Sequence, residues 1–568
     1  MSFRRSPKRV KIKNNNKNKK KVKKKLLNFL GIATLLLFTT TVFGQNTWDG
    51  STDTDWDTAA NWSFGTVPVA TDNVLIENVA NQPVVSSGTL ALTRNLTLDP
   101  DALLTINSGA GLTVDGNLAI FGDLTINSSA SNSGSLIVTG ASTGIVTYNR
   151  FVTGGGWYFL SAPVAGVTST SLYNDNGGAA TFIQGGTHPI AGNNLAIGGY
   201  NGVSWSYMSS LGFGGPTMST GTGVSVNLIS SQSLGMAGSL RSSASKTLTS
   251  DTFNLLGNPY TASLDAEAFL TTNGARLTEN TVWVHSGISG YTAHNSVTTV
   301  KIAPGQGFFV LANSVGGSVT FSKSSLSHDA ADTFSKSIPF ANYELFIENN
   351  GAVRSTRVFY AENRTTGFDN GSDSSLFLDN DEFSIFTELV EGSEGQKLEI
   401  QTLPDANMES FVVPVGVKAL ADSEIIFSIE PSNFDERIKI TLEDRFTNTF
   451  TRLDEANSTY KVIAESDLNG VGRFYVHTTQ AALSVDTNEW LSTVQIYKVN
   501  NANLRITGLT QGDATVQIYN ILGKQVLSTS FDAMGTKDIA LPNDILKGIY
   551  LVKLETADGI LNKKIILE

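Results

Sequence analysis

Apolar and polar positions alternate with a period of two along most of this chain, the pattern of strands that bury one face. The alternation is clearest between Leu96 and Val138. There Leu96-Thr97-Leu98, Leu104-Thr105-Ile106, Leu112-Thr113-Val114, Leu118-Ala119-Ile120, Leu124-Thr125-Ile126 and Leu136-Ile137-Val138 recur at spacings of 8, 8, 6, 6 and 12 residues. Asn, Gly, Asp and Ser fill the gaps, as they do where a chain turns a corner. Stacked short strands of this kind predict a small β-solenoid over residues 45–148, with an irregular sandwich as the competing reading because the period is not strict. Asn107 and Asn127 each follow a strand's middle Thr by two residues, which places them to stack as a ladder inside the corners.

Ahead of the repeats, Trp48, Trp56 and Trp62 fall within fifteen residues. A repeat array needs its end covered, so these rings read as a cap over the first turn rather than a ligand-stacking platform. Asp49, Asp53, Asp55 and Asp57 lack the spacing and glycine of a calcium loop and read as solvated carboxylates.

Beyond the repeats the pattern predicts two more strand-rich regions of β-sandwich type. The first, residues 149–330, is rich in Gly, Ser and Thr, with a short helix expected at Asp265–Leu270 and a fixed turn at Asn258-Pro259-Tyr260. A polar stretch from Phe321 to Ser337 has the composition of a linker. The second region, 337–482, alternates clearly at Ile438–Arg445 and Gly472–His477 and is expected to be jelly-roll-like. The fold class is therefore all-β.

The last eighty residues alternate again. Val516 and Ile518 share one face, Gly523 marks a turn, and Tyr550, Val552 and Leu554 repeat the pattern before Asp558-Gly559, a hairpin signal. Six or seven short strands are expected, enough for a small sandwich. Three segments carry a resemblance: Ile518–Val526 (IYNILGKQV), Leu546–Thr556 (LKGIYLVKLET) and the closing KKIILE. In this order they closely resemble the C-terminal sorting domain of type IX secretion cargo, here spanning about 490–568. The motif falls on Tyr519, Gly523, Lys524, Gly548, Tyr550, Lys563 and Lys564. The resemblance implies an Ig-like sandwich recognised by the type IX secretion machinery, a peptidase that clips the domain off, and, often, linkage of the mature protein to surface lipopolysaccharide. The Pro-Asn-Pro that often opens this domain is replaced by Tyr497-Lys498-Val499-Asn500.

The other end of the sequence points the same way. Residues 1–25 hold thirteen Lys or Arg and no acid, and Leu26–Phe43 is apolar with small residues at its end. This is the layout of a signal peptide over residues 1–44, with a basic nucleic-acid arm and a retained membrane anchor as rivals. The apolar run barely reaches bilayer-spanning length, which disfavours the anchor. Without that leader the chain keeps 27 basic residues against 51 acidic ones, a net charge of about −24. Such a balance repels nucleic acid. Cysteine is absent, which excludes disulfides, thiolate metal sites and cysteine nucleophiles.

Catalytic chemistry is sparse. The five histidines, His188, His285, His294, His328 and His477, form no His-Glu-x-x-His, and there is no phosphate-cradling Gly loop and no Gly-x-Ser-x-Gly. His285 and His294 could oppose each other across a hairpin as metal ligands, but read better as exposed strand-end residues. Asp369, Asp373, Asp379 and Asp381, with Glu382, gather carboxylates in a loop that suits calcium, against the reading of a loop that only positions strands. No other cofactor is implied. The expectation is a non-enzymatic, secreted or outer-membrane-surface protein of a Gram-negative bacterium, its passenger adhesin-like or structural and binding glycan or matrix. The alternative is an extracellular polysaccharide-active hydrolase with its carboxylates in the 149–482 region, and a surface-layer component without a ligand is a third reading.

Overall fold

The computed structural model describes residues 44–568 apart from 186–193, 210–213, 286–289, 330–339, 378–381, 481–493, 501, 522, 543–544, 557–558 and 568. The expected leader, His188, Asp379, Asp381 and Asp558 lie outside the described residues. The chain is 54% strand and 6% helix, so the all-β reading holds. Among the described residues no helix is long and apolar enough to cross a membrane. Two units are distinguished, one up to Ser337 and one from Ile338.

The first unit opens with the solenoid. Three parallel sheets form its walls. One stacks Gln45–Trp48, Asn73–Ile76, Asn95–Leu98, Leu118–Ile120 and Ser142–Thr143; another stacks Leu90–Thr93, Gly111–Val114 and Ser135–Val138. The remaining wall stacks Val84–Val85, Leu103–Ile106, Asp123–Asn127 and Val146–Val152. Val74 pairs with Leu96 and Leu96 with Leu118, so one turn of the coil takes about 22 residues and about four turns are stacked. The sequence repeat is thus a single wall of a three-walled turn, and unequal corners are what make its spacing irregular. Parallel sheets ordinarily need helices over their faces. Here the walls face one another instead, and Val74, Ile76, Leu96, Leu98, Leu104, Ile106, Leu112, Val114, Leu124 and Ile126 are buried between them. Each such side chain contributes about 1.5–3 kcal/mol by leaving water.

Polar ladders hold the corners. The expected Asn107–Asn127 contact is present at 3.5 Å, and Asn149 extends it by donating to Asn127 Oδ1 at 2.9 Å. A second ladder runs from Asn73 through Asn95, which donates to Asn73 at 2.7 Å, to Asn117, whose backbone N–H reaches Asn95 Oδ1. Gly116 is required beside it, since a Cβ there would come within 2.4 Å of Asn95 Oδ1.

Both ends of the coil are closed. Trp48 pairs in register with Ile76, and Trp62 packs edge to face against both Trp48 and Trp56, with ring centroids 5.0 and 4.7 Å apart. All three are buried, which fits the cap and leaves no ring face for a ligand. Asp53 and Asp55 accept backbone N–H groups of the same loop, so they fix its shape. At the far end, Gln232–Gly238 pairs antiparallel with Val146–Val152 and ends the parallel stacking.

One apolar cluster runs from the solenoid into residues up to Met236, so the walls and the next region share a core. That region carries one antiparallel sheet of Trp157–Ser161, Asn194–Tyr200, Trp205–Ser209 and Gly223–Asn227, and another of Phe253–Gly257, Val282–His285, Tyr291–His294 and Gly307–Leu311. The expected helix is Ala266–Asn273, capped by Asp265, whose Oδ1 accepts from Ala268 N. Asn258 is fully buried; its amide donates to Ala262 O and Ile302 O while its Oδ1 accepts from Tyr260 N, fixing the expected turn. The linker reading is corrected over Phe321–Asp329. Leu326–Ser327 pairs with Ser263–Leu264, and His328 lies between Thr113 and Ser135 of a solenoid wall, 2.7 Å from each hydroxyl.

In the second unit, residues 341–480 form one eleven-stranded sheet around a single core. The sheet curls on itself: Phe427 and Phe474, on strands Glu424–Ser432 and Leu468–Gln480, have five strands between them in the order, yet their rings are 4.7 Å apart. The two halves of the curled sheet thus face each other across the core, as the layers of a sandwich do. Among the described residues the C-terminal domain has five strands, fewer and longer than expected. Asn503–Asn520 and Gln525–Ala540 form a hairpin bent by bulges near Gly508 and Gly512. One half of Asn503–Asn520 pairs with Gln495–Asn500 and the other with Gly548–Thr556, so the bent hairpin makes both layers around a core that includes Leu504, Ile518 and Val552.

Candidate functional site

On the first unit, rings gather where its two antiparallel sheets adjoin. Trp205 and Tyr207 are two residues apart on one strand and so share a face. Tyr200 pairs opposite Trp205, with centroids at 5.2 Å, and Gly198 pairs opposite Tyr207. A Cβ on Gly198 would lie 2.7 Å from the Tyr207 ring, so that glycine lets the ring cover the neighbouring strand. Trp157 meets Tyr207 at 5.9 Å, and Phe159 stacks on Trp205 at 5.9 Å. Phe159 also contacts His285 at 5.4 Å and Tyr291 at 5.9 Å, while Phe309 lies beneath at 5.2 Å. Phe309 is fully buried, whereas Trp157, Tyr200, Trp205, Tyr207 and Tyr291 are each partly exposed. The arrangement is a stripe of partly exposed rings drawn from both sheets.

A cavity of about 220 Å³ opens beside this stripe, lined by Ser129, Arg150, Thr153, Tyr158, Phe159, His285 and Gln306 among others. Arg150 sits on the last solenoid strand, Val146–Val152, and donates from Nη1 to Ser133 Oγ at 2.9 Å. Gln306 Oε1 accepts from Ala303 N, which fixes the amide. Burial lowers the pKa of His285, opposed by a hydrogen bond with the Trp157 backbone, so its imidazole is neutral near pH 7. Burial raises the pKa of Tyr200 and Tyr207, keeping both phenols protonated. Among the described residues no carboxylate lines the cavity.

The histidine pair separates. His285 pairs in register with Tyr291, and His294 with Val282, so the two stand at opposite ends of the hairpin. Neither is an exposed strand-end residue: His294 is buried with its Nδ1–H donating to Thr298 O at 2.9 Å, and His285 packs against Tyr291 at 4.9 Å. His477 faces Glu443, with Nε2 2.9 Å from Oε2. No group of three or more His, Asp or Glu able to hold a metal occurs among the described residues.

Of the carboxylates read as a calcium loop, Asp369, Asp373 and Glu382 are described, and Glu382 is exposed. Asp369 Oδ2 accepts from Thr365 N, while Asp373, fully buried, accepts from Asp369 N and Thr402 N at 2.6 Å each. Burial drives the pKa of Asp373 up to about 7, against those two donors and the Arg364 charge. These contacts tie the loop to strand Leu398–Pro404.

The sorting-motif residues lie around the C-terminal sandwich. Gly523, at φ +78°, makes the turn in which its N–H reaches Asn520 O and Lys524 N reaches Asn520 Oδ1. Tyr519 Oη donates to Gln517 Oε1. Gly548 begins a strand and pairs with Leu567; Tyr550, on that strand, is buried and donates from Oη to Leu546 O at 2.7 Å. Such a tyrosine corner is a familiar brace of Ig-like sandwiches. Lys563 and Lys564 are exposed on the neighbouring strand, which also exposes Ile566 beside Ile549.

A family model described as Domain of unknown function (DUF8693) matches residues 47–295 and 283–477, and one described as Secretion system C-terminal sorting domain matches 482–568. Comparison with curated proteins gives no match. A solved structure titled "Biofilm associated protein - BSP domain" aligns at 8% identity over 74% of this chain and 90% of that one, with a TM-score of 0.12, too low to carry an argument. The C-terminal sandwich is the sorting domain of type IX secretion cargo, which directs the chain out of the cell or to its surface. With both matches together spanning most of its length, the chain belongs to the family described as Domain of unknown function (DUF8693), here joined to a type IX sorting domain.

Proposed function

We propose that the protein is an adhesin-like surface protein of a Gram-negative bacterium, and that its first unit binds glycan on the aromatic stripe. The observation that carries this reading is the group of partly exposed rings Trp157, Tyr200, Trp205 and Tyr207 on one sheet, with Tyr291 of the adjoining sheet beside them. Aromatic faces bury large apolar area at little entropic cost, and sugar rings present C–H faces that stack on them. Residues 1–44 serve as a signal peptide that delivers the chain to the periplasm. The sorting domain is then engaged by the secretion machinery and removed by its peptidase, and the remaining protein is held at the outer membrane, with lipopolysaccharide as the anchor.

The reading as a binding protein rather than a hydrolase draws support from the cavity beside the stripe, whose described lining residues include no pair of carboxylates for glycosidic cleavage. The test is binding of the secreted protein to an array of glycans and matrix proteins, repeated with Trp205→Ala and Tyr207→Ala together. Saturable binding to glycan that the double variant loses at least about tenfold is the expected result. Binding to no glycan overturns the proposal, and cleavage of the bound glycan replaces it with the hydrolase reading.

A further inference from the structure

We infer that the aromatic stripe selects glycans built from N-acetylated amino sugars, whose acetamido carbonyls accept from the indole N–H groups of Trp157 and Trp205. The inference rests on the glycan-binding reading and deepens it by naming the sugar. It starts from where the indole N–H groups of this chain go. In the cap they are used inside the protein: Trp48 Nε1 donates to Asn81 O at 2.7 Å and Trp62 Nε1 to Trp56 O at 2.8 Å. In the stripe Trp157 and Trp205 are partly exposed, and neither Nε1 has a partner among the described residues or is sealed from solvent. The Tyr207 hydroxyl is open in the same way, whereas Tyr200 Oη donates to Gly202 O at 3.0 Å. An indole nitrogen donates and cannot accept.

Donors set among apolar rings define what the ligand must bring, a neutral acceptor beside an apolar surface. A plain sugar hydroxyl accepts, but its own proton then needs a further partner. An acetamido group supplies an amide carbonyl, a flat plane that lies on a ring and a methyl that leaves water. Val203, in the turn between Tyr200 and Trp205, is 89% exposed and extends the apolar surface at the end of that hairpin. Asn201 in the same turn has its Oδ1 occupied by Val203 N and Ser204 N, so this carbonyl does not compete for the ligand's place as acceptor. A carboxylate or sulfate would also accept, but the stripe has no lysine or arginine to pair with it. A chain of net charge −11 moreover repels anionic polymers at a distance.

The experiment uses the full secreted protein and three β-1,4-linked oligosaccharides of equal length that differ only at C2: glucose with a hydroxyl, N-acetylglucosamine with an acetamido group, and glucosamine with an ammonium. The N-acetylated chain should bind at least about tenfold tighter than the glucose chain, the size of one or two net hydrogen bonds. Its affinity should change less than about twofold between low and physiological salt, because the ligand is neutral. Trp157→Phe with Trp205→Phe keeps two rings and removes both N–H groups. It should weaken the N-acetylated chain at least about fivefold more than it weakens the glucose chain, in a variant with wild-type circular dichroism.

Equal affinity for the glucose and N-acetylated chains overturns the inference, as does a preference that survives the double Phe variant. Tightest binding by the glucosamine chain, falling with salt, overturns it too, since the acidic protein would then be acting through charge. Each of these leaves the stripe standing if Trp205→Ala with Tyr207→Ala still weakens glycan binding at least about tenfold. Glycan binding unchanged in that double Ala variant is the separate failure of the stripe.

Discussion

The imidazole of His328 lies 2.7 Å from the hydroxyl of Thr113, although 215 residues separate them along the chain. With Ser135 on its other nitrogen, the ring fastens the strap Phe321–Asp329 to a solenoid wall. Gly111 makes the space, since a Cβ there would come within 2.6 Å of the ring.

Burial lowers the pKa of His328, so the folded state disfavours the imidazolium. The unfolded chain therefore binds more protons below about pH 6.5, and stability contributed by the neutral ring is present above that pH and lost as pH falls. The strap's amide hydrogens should accordingly have lower protection factors, with the intrinsic pH dependence of exchange divided out, near pH 5 than near pH 7. His328→Gln should reduce that difference. Equal protection factors at both pH values in the wild type would remove the role assigned to His328.

Asp373 gives the opposite slope in the second unit. With its folded pKa raised to about 7, the protonated acid is the form the fold favours. Its contribution is full below about pH 4 and declines as pH rises to about 7. Asp373→Asn should flatten this part of the denaturation midpoint plotted against pH, a change of up to a few kcal/mol across the window.

The tryptophan cap is expected to carry a large share of solenoid stability. Trp56→Ala should cost about 3–5 kcal/mol, as for other buried aromatic truncations, and lower the first transition in urea unfolding. A milder effect is expected at the corners. Asn127→Ala breaks the Asn107–Asn127–Asn149 ladder in its middle and should cost about 1–3 kcal/mol, because both neighbouring amides lose a partner.

Export depends on the C-terminal sandwich. A chain ending at Thr487 should be absent from the cell surface and culture fluid, as read by surface labelling, while the full chain is present. Tyr550→Phe removes only the hydroxyl bond to Leu546 O and should lower the domain's stability by about 1 kcal/mol without abolishing export.

The solenoid was legible because Leu-Thr-Ile and Leu-Thr-Val triplets place apolar residues on alternate positions whatever wall they occupy. Asn107 and Asn127 were legible for the same reason, each sitting at a fixed offset from a strand. The aromatic stripe was harder to see. Trp157, Tyr200, Trp205 and Tyr291 come from different strands and meet only through sheet pairing, although the alternation of Trp205 and Tyr207 was a local signal. Composition misled at Phe321–Asp329, where serines and a histidine that look like linker residues bond to the solenoid and its neighbouring strand. The histidine pair failed on register: nine residues of separation set His285 against Tyr291 rather than His294.

The stacked asparagines also fix how this coil can change in length. Each asparagine bonds to its counterpart one turn away, and the inward apolar residues sit one above another, so a single inserted residue would break both alignments in every later turn. A whole turn of about 22 residues, inserted between Asn95 and Asn117, would preserve them and leave the tryptophan lid untouched. The coil is therefore quantised, able to lengthen or shorten by complete turns and resistant to anything smaller.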